Sequence, residues 1–301
     1  MRKEKKKIAS RIDSKNEKFS TKKIIFKDLK MKVLALDYDG VIVDSEMDAL
    51  FVSHNAYLEL TGNRNQRLFG GEKFTFQNWL EIQKKYEREI KYYQSLRPYI
   101  REATDYGLIQ KLIEENIFLS NQREFDQYRQ TVQFEFKKFH KLFYEERRKL
   151  QEEDFQKWLA LEPAYTEVVE GIRRFSQEGV KVAVATSNRR DSIARAFRPE
   201  YYNIPIRDED ILDISFGEDK SNQIKYMATC YGVEYEEIYF VDDQLAHLEQ
   251  TRPLGIKVFL AGWSYATSRQ KKRAVSQGIP VIEKAVDFYD TVRQYVKNNH
   301  T

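Results

Sequence analysis

Six short apolar runs constrain the fold of this chain more than any other feature of its sequence. The first, Lys32 to Asp37, is apolar until it stops at an acidic residue, which is typical of a strand buried on both faces of a sheet. The other runs cover residues 180–185, 211–216, 238–241, 256–260 and 279–282, mostly separated by stretches of helical composition. Strands that alternate with helices predict an α/β protein with a parallel sheet.

The stretch from residue 46 to residue 163 interrupts this alternation. It has no strand-like apolar run and few glycines or prolines, so we expect it to be helical throughout. Apolar side chains recur there at spacings of three or four residues, at Phe125, Tyr128, Val132, Phe136, Phe139 and Phe143. They predict one buried face of a single helix about 30 residues long. A coiled-coil dimer seam is the alternative, but bulky aromatic side chains suit such a seam poorly.

These patterns divide the chain into three parts. Residues 31–45 and 164–301 are expected to form the α/β core, residues 46–163 a helical insertion and residues 1–30 a basic tail. The tail holds 12 Lys or Arg against 4 Asp or Glu, whereas the rest of the chain holds 39 against 43. Such a tail can bind nucleic acid or an anionic surface, but it is more typical of a disordered terminus. Nucleic acid is therefore not the expected partner.

Composition also narrows the cofactor and the cellular setting. No apolar run approaches the ~20 residues that span a bilayer, and the first residues are charged rather than apolar. We therefore expect no membrane segment and a cytoplasmic location. Cys230 is the single cysteine and there are four scattered histidines, which excludes an intramolecular disulfide and argues against a Cys/His zinc site. A bound metal would be held by oxygen atoms, which favours Mg²⁺.

The first apolar run ends in the acidic loop Asp37-Tyr38-Asp39-Gly40. Two carboxylates two residues apart can point in different directions from one turn, and Gly40 permits tight backbone geometry there. One carboxylate can attack phosphorus, while the other protonates the leaving oxygen and later deprotonates a water. Tyr38 is expected to pack in the core.

Three further segments place polar side chains where strands end or helices begin, which is where open α/β sheets bind ligands. Thr186, Ser187 and Asn188 follow the second run and can bind phosphate oxygens at a helix start. Lys220 stands near the start of a predicted helix, where the helix dipole disfavours a cation. This unfavourable position favours a functional role for Lys220. Asp242 and Asp243 end another strand and, with Asp37, offer the oxygen ligands that Mg²⁺ prefers.

In this order, the four segments resemble the motifs of the haloacid dehalogenase-like (HAD) hydrolase superfamily. The segment from Leu36 to Ser45 resembles its first motif, Thr186 its second, Lys220 its third and Asp242-Asp243 its fourth. The resemblance covers residues 31–45 and 165–285. It implies a Rossmann-like parallel sheet core with an inserted helical cap domain at residues 46–163.

The resemblance also implies a role for each residue. Asp37 would be the nucleophile and a Mg²⁺ ligand, and Asp39 the general acid and base, with its backbone carbonyl on the metal. Thr186 would bind the phosphoryl group, and Lys220 would neutralise its charge and restrain Asp37. Asp242 would bind Mg²⁺ and Asp243 would support it, so the implied metal set is Asp37, Asp39, Asp242 and Asp243.

The sequence leaves the roles of several residues undecided. The proline that often follows the lysine of the third motif is missing, so Lys225 competes with Lys220, which we favour because it stands at the helix start. His54 is expected to be structural or exposed. Arg97, Arg101 and Arg123 are candidates for a substrate pocket, but their orientation does not follow from the sequence.

The expected function is a Mg²⁺-dependent phosphatase that hydrolyses a small phosphorylated metabolite through an aspartyl-phosphate. A phosphomutase acting on a sugar phosphate is the nearest alternative, because it differs only in the acceptor of the phosphoryl group. A nucleic-acid end-processing or binding factor that uses the basic tail is the alternative from another class. A dehalogenase is disfavoured, since displacement of halide requires neither Asp39 nor a metal site. The oligomeric state is left open.

Overall fold

One parallel sheet forms the centre of the protein. The computed structural model describes residues 31–62, 68–217 and 219–297, and the basic tail predicted at residues 1–30 lies outside them. The strands are β1 (Val33–Leu36), β2 (Lys181–Ala185), β3 (Ile211–Leu212), β4 (Ile238–Asp242), β5 (Lys257–Ala261) and β6 (Val281–Ile282). All pairings are parallel, in the order β3-β2-β1-β4-β5-β6. The predicted α/β fold with a Rossmann-like sheet is confirmed.

The two edge strands are shorter than the sequence predicts. The run at 211–216 continues beyond β3 as a 3₁₀ turn, Ile214–Phe216. Asp213 causes this turn, because its carboxylate accepts a hydrogen bond from the backbone N–H of Ser215 at 3.2 Å. The run at 279–282 narrows to β6, which pairs with β5 alone. Apolar composition predicted where these strands lie but not how many of their residues find a partner.

The described ranges contain thirteen α-helices. They are α1 (Glu46–Thr61), α2 (Trp79–Lys85), α3 (Glu87–Leu96), α4 (Asp105–Glu115), α5 (Gln122–Thr131), α6 (Phe136–Glu153), α7 (Phe155–Leu159), α8 (Thr166–Gln177), α9 (Arg190–Ala196), α10 (Lys220–Tyr231), α11 (Leu245–Thr251), α12 (Ser268–Ser276) and α13 (Phe288–Lys297). Helices α1 to α7 lie between β1 and α8, and are called the helical segment below. In the described ranges no helix is long and apolar enough to cross a membrane.

The sheet is buried on both faces. Along β1, Val33 and Ala35 pack in one hydrophobic cluster, and Leu34 and Leu36 pack in the other. This alternation follows from the pleat of a strand, which points successive side chains to opposite faces. It explains why β1 reads as a continuous apolar run.

The helical segment has its own core, which is rich in aromatic side chains such as Phe51, Phe74 and Trp79. The single long helix predicted across residues 125–143 was wrong: α5 ends at Thr131 and α6 begins at Phe136. Two β-branched residues, Thr131 and Val132, stand at the break, and Val132 is extended. The predicted stripe still faces inward, because its six side chains all belong to or pack against the segment's core.

The chain enters and leaves the helical segment at one place. The N–H of Asp44 donates to the carbonyl of Pro163, and the N–H of Tyr165 donates to the carbonyl of Ile42, both at 2.9 Å. Val43 and Ala164 form an antiparallel bridge between these two bonds. The two connections therefore run side by side above the end of β1.

Candidate active site

The sequence-predicted polar residues meet at the carboxyl ends of three neighbouring strands. Asp37 follows β1, Thr186 follows β2 and Asp242 ends β4, and β1 lies between β2 and β4. The register pairs Leu36 with both Val184 and Val241, so the three strand ends lie level. The chain order reverses around β1, and this switch point is where open α/β sheets bind ligands.

Asp37 and Lys220 form a buried ion pair at the centre of the site. The Lys220 ammonium lies 2.8 Å from Oδ1 of Asp37 and 3.9 Å from Oδ2 of Asp242. Burial raises the pKa of Asp37 to about 6, although the Lys220 ammonium opposes the rise. Burial alone would lower the pKa of Lys220, but Asp37 and Asp242 raise it above its ordinary value. Lys220 is therefore a fixed cation next to a carboxylate, with only 1% of its surface exposed.

The structure separates the two candidate lysines, Lys220 and Lys225. Lys220 is the first residue of α10, and its ammonium also donates to the carbonyl of Ala185 at 2.5 Å. Lys225 lies on the same helix but its side chain is exposed to solvent. The structure therefore brings Lys220, and not Lys225, to Asp37.

Asp37, Asp242 and His247 form the group best arranged to hold a metal ion. One ligand atom from each lies within 4.8 Å of the others. His247 Nδ1 is 3.0 Å from Oδ2 of Asp242. Burial opposes ionisation of Asp242, yet His247 and Lys220 hold its pKa below the ordinary value. Asp242 is therefore an anion with little exposure to water, as a metal ligand needs to be.

Asp243 lies beside this group with a different environment. Its Oδ1 is buried and has no hydrogen-bond partner among the described residues. Burial raises the pKa of Asp243 well above its ordinary value, although Arg97 opposes the rise. A buried, unpaired carboxylate oxygen costs free energy unless a ligand satisfies it. Two buried carboxylates and this unpaired oxygen fit a hard divalent cation such as Mg²⁺.

Asp39 lies on the turn that follows Asp37 at the carboxyl end of β1. Its carboxylate is partly exposed, and Oδ2 is 3.4 Å from the side-chain amide of Asn188. Gly40 adopts φ +74°, and a Cβ there would come within 2.8 Å of Asp243, Ser264 and Tyr265. The turn therefore requires glycine for its backbone conformation and for its close packing. Tyr38 is buried as predicted, and its hydroxyl donates to Glu162 at 2.6 Å.

Thr186, Ser187 and Asn188 form the next wall of the site. The N–H of Asn188 donates to Oγ1 of Thr186 at 3.0 Å, so the Thr186 hydroxyl keeps its own hydrogen for another acceptor. Thr186 is fully buried, whereas Ser187 and Asn188 line the cavity above Asp37. This arrangement offers hydroxyl, amide and backbone donors to an anion.

Two arginines of the helical segment cover the site, and the sequence reasoning missed one of them. Arg147 donates to Oδ2 of Asp48 at 2.5 Å and to Oδ1 of Asn188 at 3.0 Å, while its buried Nε has no partner among the described residues. Arg97 is 3% exposed and lies 4.0 Å above the ring of Tyr265. Its buried Nε is also unpaired among the described residues. Both side chains line the cavity beside Asp37.

The residues that sequence reasoning missed differ in whether the sequence contains any sign of their role. His247 follows Asp242 by five residues at the start of a short helix, and that spacing could have suggested a contact. Arg147 and Asp48 are 99 residues apart, so no local pattern connects them. Glu162 is fully buried next to Tyr38, and burial raises its pKa well above the ordinary value.

Of the other candidates, His54 and Arg123 lie outside the cavity above Asp37, whereas Arg101 lines it. His54 is buried in the helical segment, stacked on Phe74 with ring centroids 3.9 Å apart, as expected of a structural histidine. Arg101 lines the cavity and pairs with Asp126 at 2.9 Å. Arg123 lies on α5, outside the cavity lining.

The cavity above Asp37 measures about 50 Å³. A single water occupies roughly 10–15 Å³ by the same kind of measure, so the cavity has room for only a few waters.

A comparison with protein families finds one match. The family model described as haloacid dehalogenase-like hydrolase matches residues 31–249. That range contains all four segments named from the sequence and the whole helical segment. No curated protein sequence matches the chain.

Solved structures with the same fold are numerous. A candidate phosphoglycolate phosphatase from Lactobacillus delbrueckii subsp. bulgaricus superposes with a TM-score of 0.60 at 14% identity, over 88% of this chain and 99% of that one. A haloacid dehalogenase-like family hydrolase from Streptococcus pneumoniae superposes with a TM-score of 0.55 at 10% identity, over 87% and 98%. A candidate beta-phosphoglucomutase from Thermotoga maritima superposes with a TM-score of 0.50 at 16% identity, over 88% and 99%. At these identities the superpositions show a shared fold.

Proposed function

The chain belongs to the haloacid dehalogenase-like hydrolase family, and from that premise we propose that it is a Mg²⁺-dependent phosphatase acting on a small phosphorylated metabolite. The observation that carries the proposal is the buried Asp37–Lys220 pair at the end of the central strand, 2.8 Å apart and next to Asp242. An ionised carboxylate held by a fixed cation suits nucleophilic attack on phosphorus.

We assign the nucleophile to Oδ2 of Asp37. Lys220 and the N–H of Tyr38 both bind Oδ1, each at 2.8 Å, which fixes the carboxylate plane and leaves the second oxygen to attack. The bond from Oδ2 to phosphorus forms as the bond from phosphorus to the leaving oxygen breaks. The product is an aspartyl-phosphate, which water then hydrolyses to regenerate Asp37.

Asp39 is proposed as the acid and base of these two steps. It lies two residues after Asp37 and contacts the Asn188 amide at 3.4 Å, so it is oriented towards the same cavity. In the first step its carboxylic acid gives a proton to the leaving oxygen. In the second step its carboxylate takes a proton from the attacking water.

The metal proposal rests on the same carboxylates. Asp37, Asp242 and the backbone carbonyl of Asp39 would hold Mg²⁺, which supplies positive charge to the phosphoryl oxygens when bound. Asp243 would complete the site with its buried Oδ1. His247 would orient Asp242 through their 3.0 Å contact, as imidazole groups behind carboxylate ligands do.

Five further residues are proposed to bind the phosphoryl group and the substrate. Thr186, Ser187 and Asn188 offer neutral donors, and Arg97 and Arg147 offer charge from the helical segment. Two buried guanidinium groups whose Nε–H groups have no partner in the part of the chain that the structure describes support an anion as the ligand. We also propose residues 46–163 as the cap domain and residues 31–45 with 164–301 as the core.

The test is hydrolysis of p-nitrophenyl phosphate with Mg²⁺ and with EDTA, in the wild type and in Asp37→Asn. We expect Mg²⁺-dependent release of phosphate, loss of at least ~10³-fold in the variant, and a phosphorylated Asp37 peptide in acid-quenched wild-type enzyme. Equal activity of the variant, or phosphorylation elsewhere in the chain, would contradict the assignment.

A phosphomutase remains the second candidate, because the fold is shared with a structure named as a candidate beta-phosphoglucomutase. Its site would use the same aspartyl-phosphate and return the phosphoryl group to a sugar. The two are separated by incubating the phosphorylated enzyme with a sugar monophosphate. Release of inorganic phosphate supports the phosphatase, and formation of a sugar bisphosphate supports the mutase.

A further inference from the structure

A large groove adjoins the active site and has no part in the chemistry described so far. Its volume is about 960 Å³, against about 50 Å³ for the cavity above Asp37. One wall comes from the helical segment, around Pro98 and along α5, and the other from α11 and α12 of the core. A space of this size is typical of sites that bind an organic ligand of drug or nucleotide size.

The groove borders the cavity above Asp37. Ile100, Arg101 and Gln244 line both the groove and the cavity. The backbone N–H of Gln244 donates to Oδ1 of Asp242 at 2.8 Å, so the groove begins two residues from a proposed metal ligand. A leaving group that extends out of the cavity would lie in the groove.

The charge of the groove is positive. Four arginines line it, and two of them are compensated: Arg101 pairs with Asp126 at 2.9 Å, and Arg273 pairs with Glu249 at 2.7 Å. The other two, Arg123 and Arg269, are exposed and make no salt bridge with any residue in 31–62, 68–217 or 219–297. The groove therefore carries two uncompensated positive charges on opposite walls.

The position of these two arginines adds to the same conclusion. Arg123 is the second residue of α5 and Arg269 the second residue of α12. A cation in the first turn opposes the positive end of a helix dipole, whereas an anion there is stabilised. Most other side chains of the groove are amides and hydroxyls, among them Gln127, Gln130 and Ser268. Two guanidinium groups without an acidic partner among the described residues suit a phosphate better than a cationic ligand.

We propose that the substrate is a bisphosphate: one phosphate reacts at Asp37, and the leaving group carries a second phosphate that Arg123 and Arg269 bind in the groove. The proposal rests on the proposed phosphatase function and adds the class of its substrate.

The experiment compares matched substrates that differ by one phosphate. Fructose 1,6-bisphosphate is compared with fructose 1-phosphate, and adenosine 3′,5′-bisphosphate with adenosine 5′-monophosphate, by kcat/KM for phosphate release. We expect at least one bisphosphate to exceed its monophosphate by about tenfold or more, mainly through KM, as for contacts between arginine and phosphate. The double variant Arg123→Gln, Arg269→Gln should lose that advantage and keep its activity on p-nitrophenyl phosphate.

A control variant separates a local contact from a change in overall charge. Arg88 and Arg198 are exposed and do not line the groove, so Arg88→Gln, Arg198→Gln removes the same charge elsewhere. An equal loss of bisphosphate preference in this control would overturn the proposal. So would equal kcat/KM for both members of each pair, or a preference that survives in the groove variant. A 5′-phosphorylated oligonucleotide preferred over both bisphosphates would overturn it in favour of a polynucleotide end.

Failure of the phosphatase function gives a different result. In that case p-nitrophenyl phosphate is not hydrolysed by any variant, and binding is measured instead through the shift in Tm on adding each compound. A larger shift with a bisphosphate than with its monophosphate, lost in the groove variant and kept in the control, supports the groove as a phosphate site. Equal shifts in all three proteins overturn it.

Discussion

The buried ion pair between Arg147 and Asp48 gives a quantitative prediction about how the site is held together. Asp48 on α1 is fully buried and accepts hydrogen bonds from Arg147 at 2.5 Å and from Trp158 at 2.7 Å. In Arg147→Met the carboxylate would keep only the Trp158 bond. Breaking a buried pair by removing one partner costs about 3–5 kcal/mol, and the lost bond to Asn188 adds about 1 kcal/mol.

A double-mutant cycle separates the cost of the unpaired Asp48 charge from the other effects of removing Arg147. Asn at position 48 still accepts from Trp158 but has no charge to compensate, so Arg147→Met, Asp48→Asn should be more stable than Arg147→Met by about 2–4 kcal/mol. The free energy of unfolding is measured by urea denaturation at pH 8, with tryptophan fluorescence as the signal. Arg148→Met is the matched control, because Arg148 is the next residue on α6, its side chain is 59% exposed and its ion pair with Glu152 spans 3.8 Å. It should change stability by less than ~0.5 kcal/mol.

The pH dependence checks the same reasoning. Burial raises the pKa of Asp48 while Arg147 lowers it, so removing Arg147 should raise that pKa further. The folded Arg147→Met variant then binds a proton more tightly than its unfolded chain, and its deficit relative to wild type should shrink as the pH falls from 8 to 5. A loss below about 1 kcal/mol for Arg147→Met at pH 8, or equal stability of the single and double variants, would refute the argument.

Three other changes test the site and its surroundings. Asp39→Asn should lower kcat by roughly 10²–10⁴-fold because it removes proton transfer, and with p-nitrophenyl phosphate a burst of nitrophenol should show that the first step survives better than the second. Arg97→Lys should not rescue the kcat/KM lost in Arg97→Met, because lysine lacks the flat guanidinium that stacks 4.0 Å from Tyr265; recovery to wild-type values would contradict this. Burial lowers the pKa of His54 to about 4, so stability present above pH 6.5 should fall by about 3 kcal/mol as the pH drops towards 4. In His54→Phe the urea midpoint should not show the part of the stability loss that His54 causes between pH 6.5 and pH 4. Identical pH profiles for the variant and the wild type would refute this assignment.

Three residues of the candidate site could be predicted from sequence because each one ends or directly follows an apolar run. In a parallel sheet the carboxyl ends of the strands meet at one edge, so Asp37, Thr186 and Asp242 converge once the strands are recognised. Their order along the chain then resembled the motifs of a known family, and the family match confirms that resemblance. Their catalytic roles stay predictions until the variants above are measured.

The parts that could not be predicted depend on how helices pack. Arg147 reaches Asp48 because α6 packs against α1, and it reaches Asn188 in the loop after β2; spacing along the chain does not encode these contacts. The loop between α5 and α6 also makes a contact that is distant in sequence, because Phe134 stacks on Tyr57 of α1 with ring centroids 6.4 Å apart. Periodicity identified the inward face of this region but not the loop that interrupts it.

Because its two connections to the core run side by side, the helical segment could be exchanged as a unit. Its two ends are held together by the bonds from Asp44 to Pro163 and from Tyr165 to Ile42, so a replacement with adjacent termini would join the core at the same two positions. A foreign helical bundle of that kind could be grafted between β1 and α8. Conversely, the excised segment could be closed into a ring with a short linker, because its first and last residues already lie together.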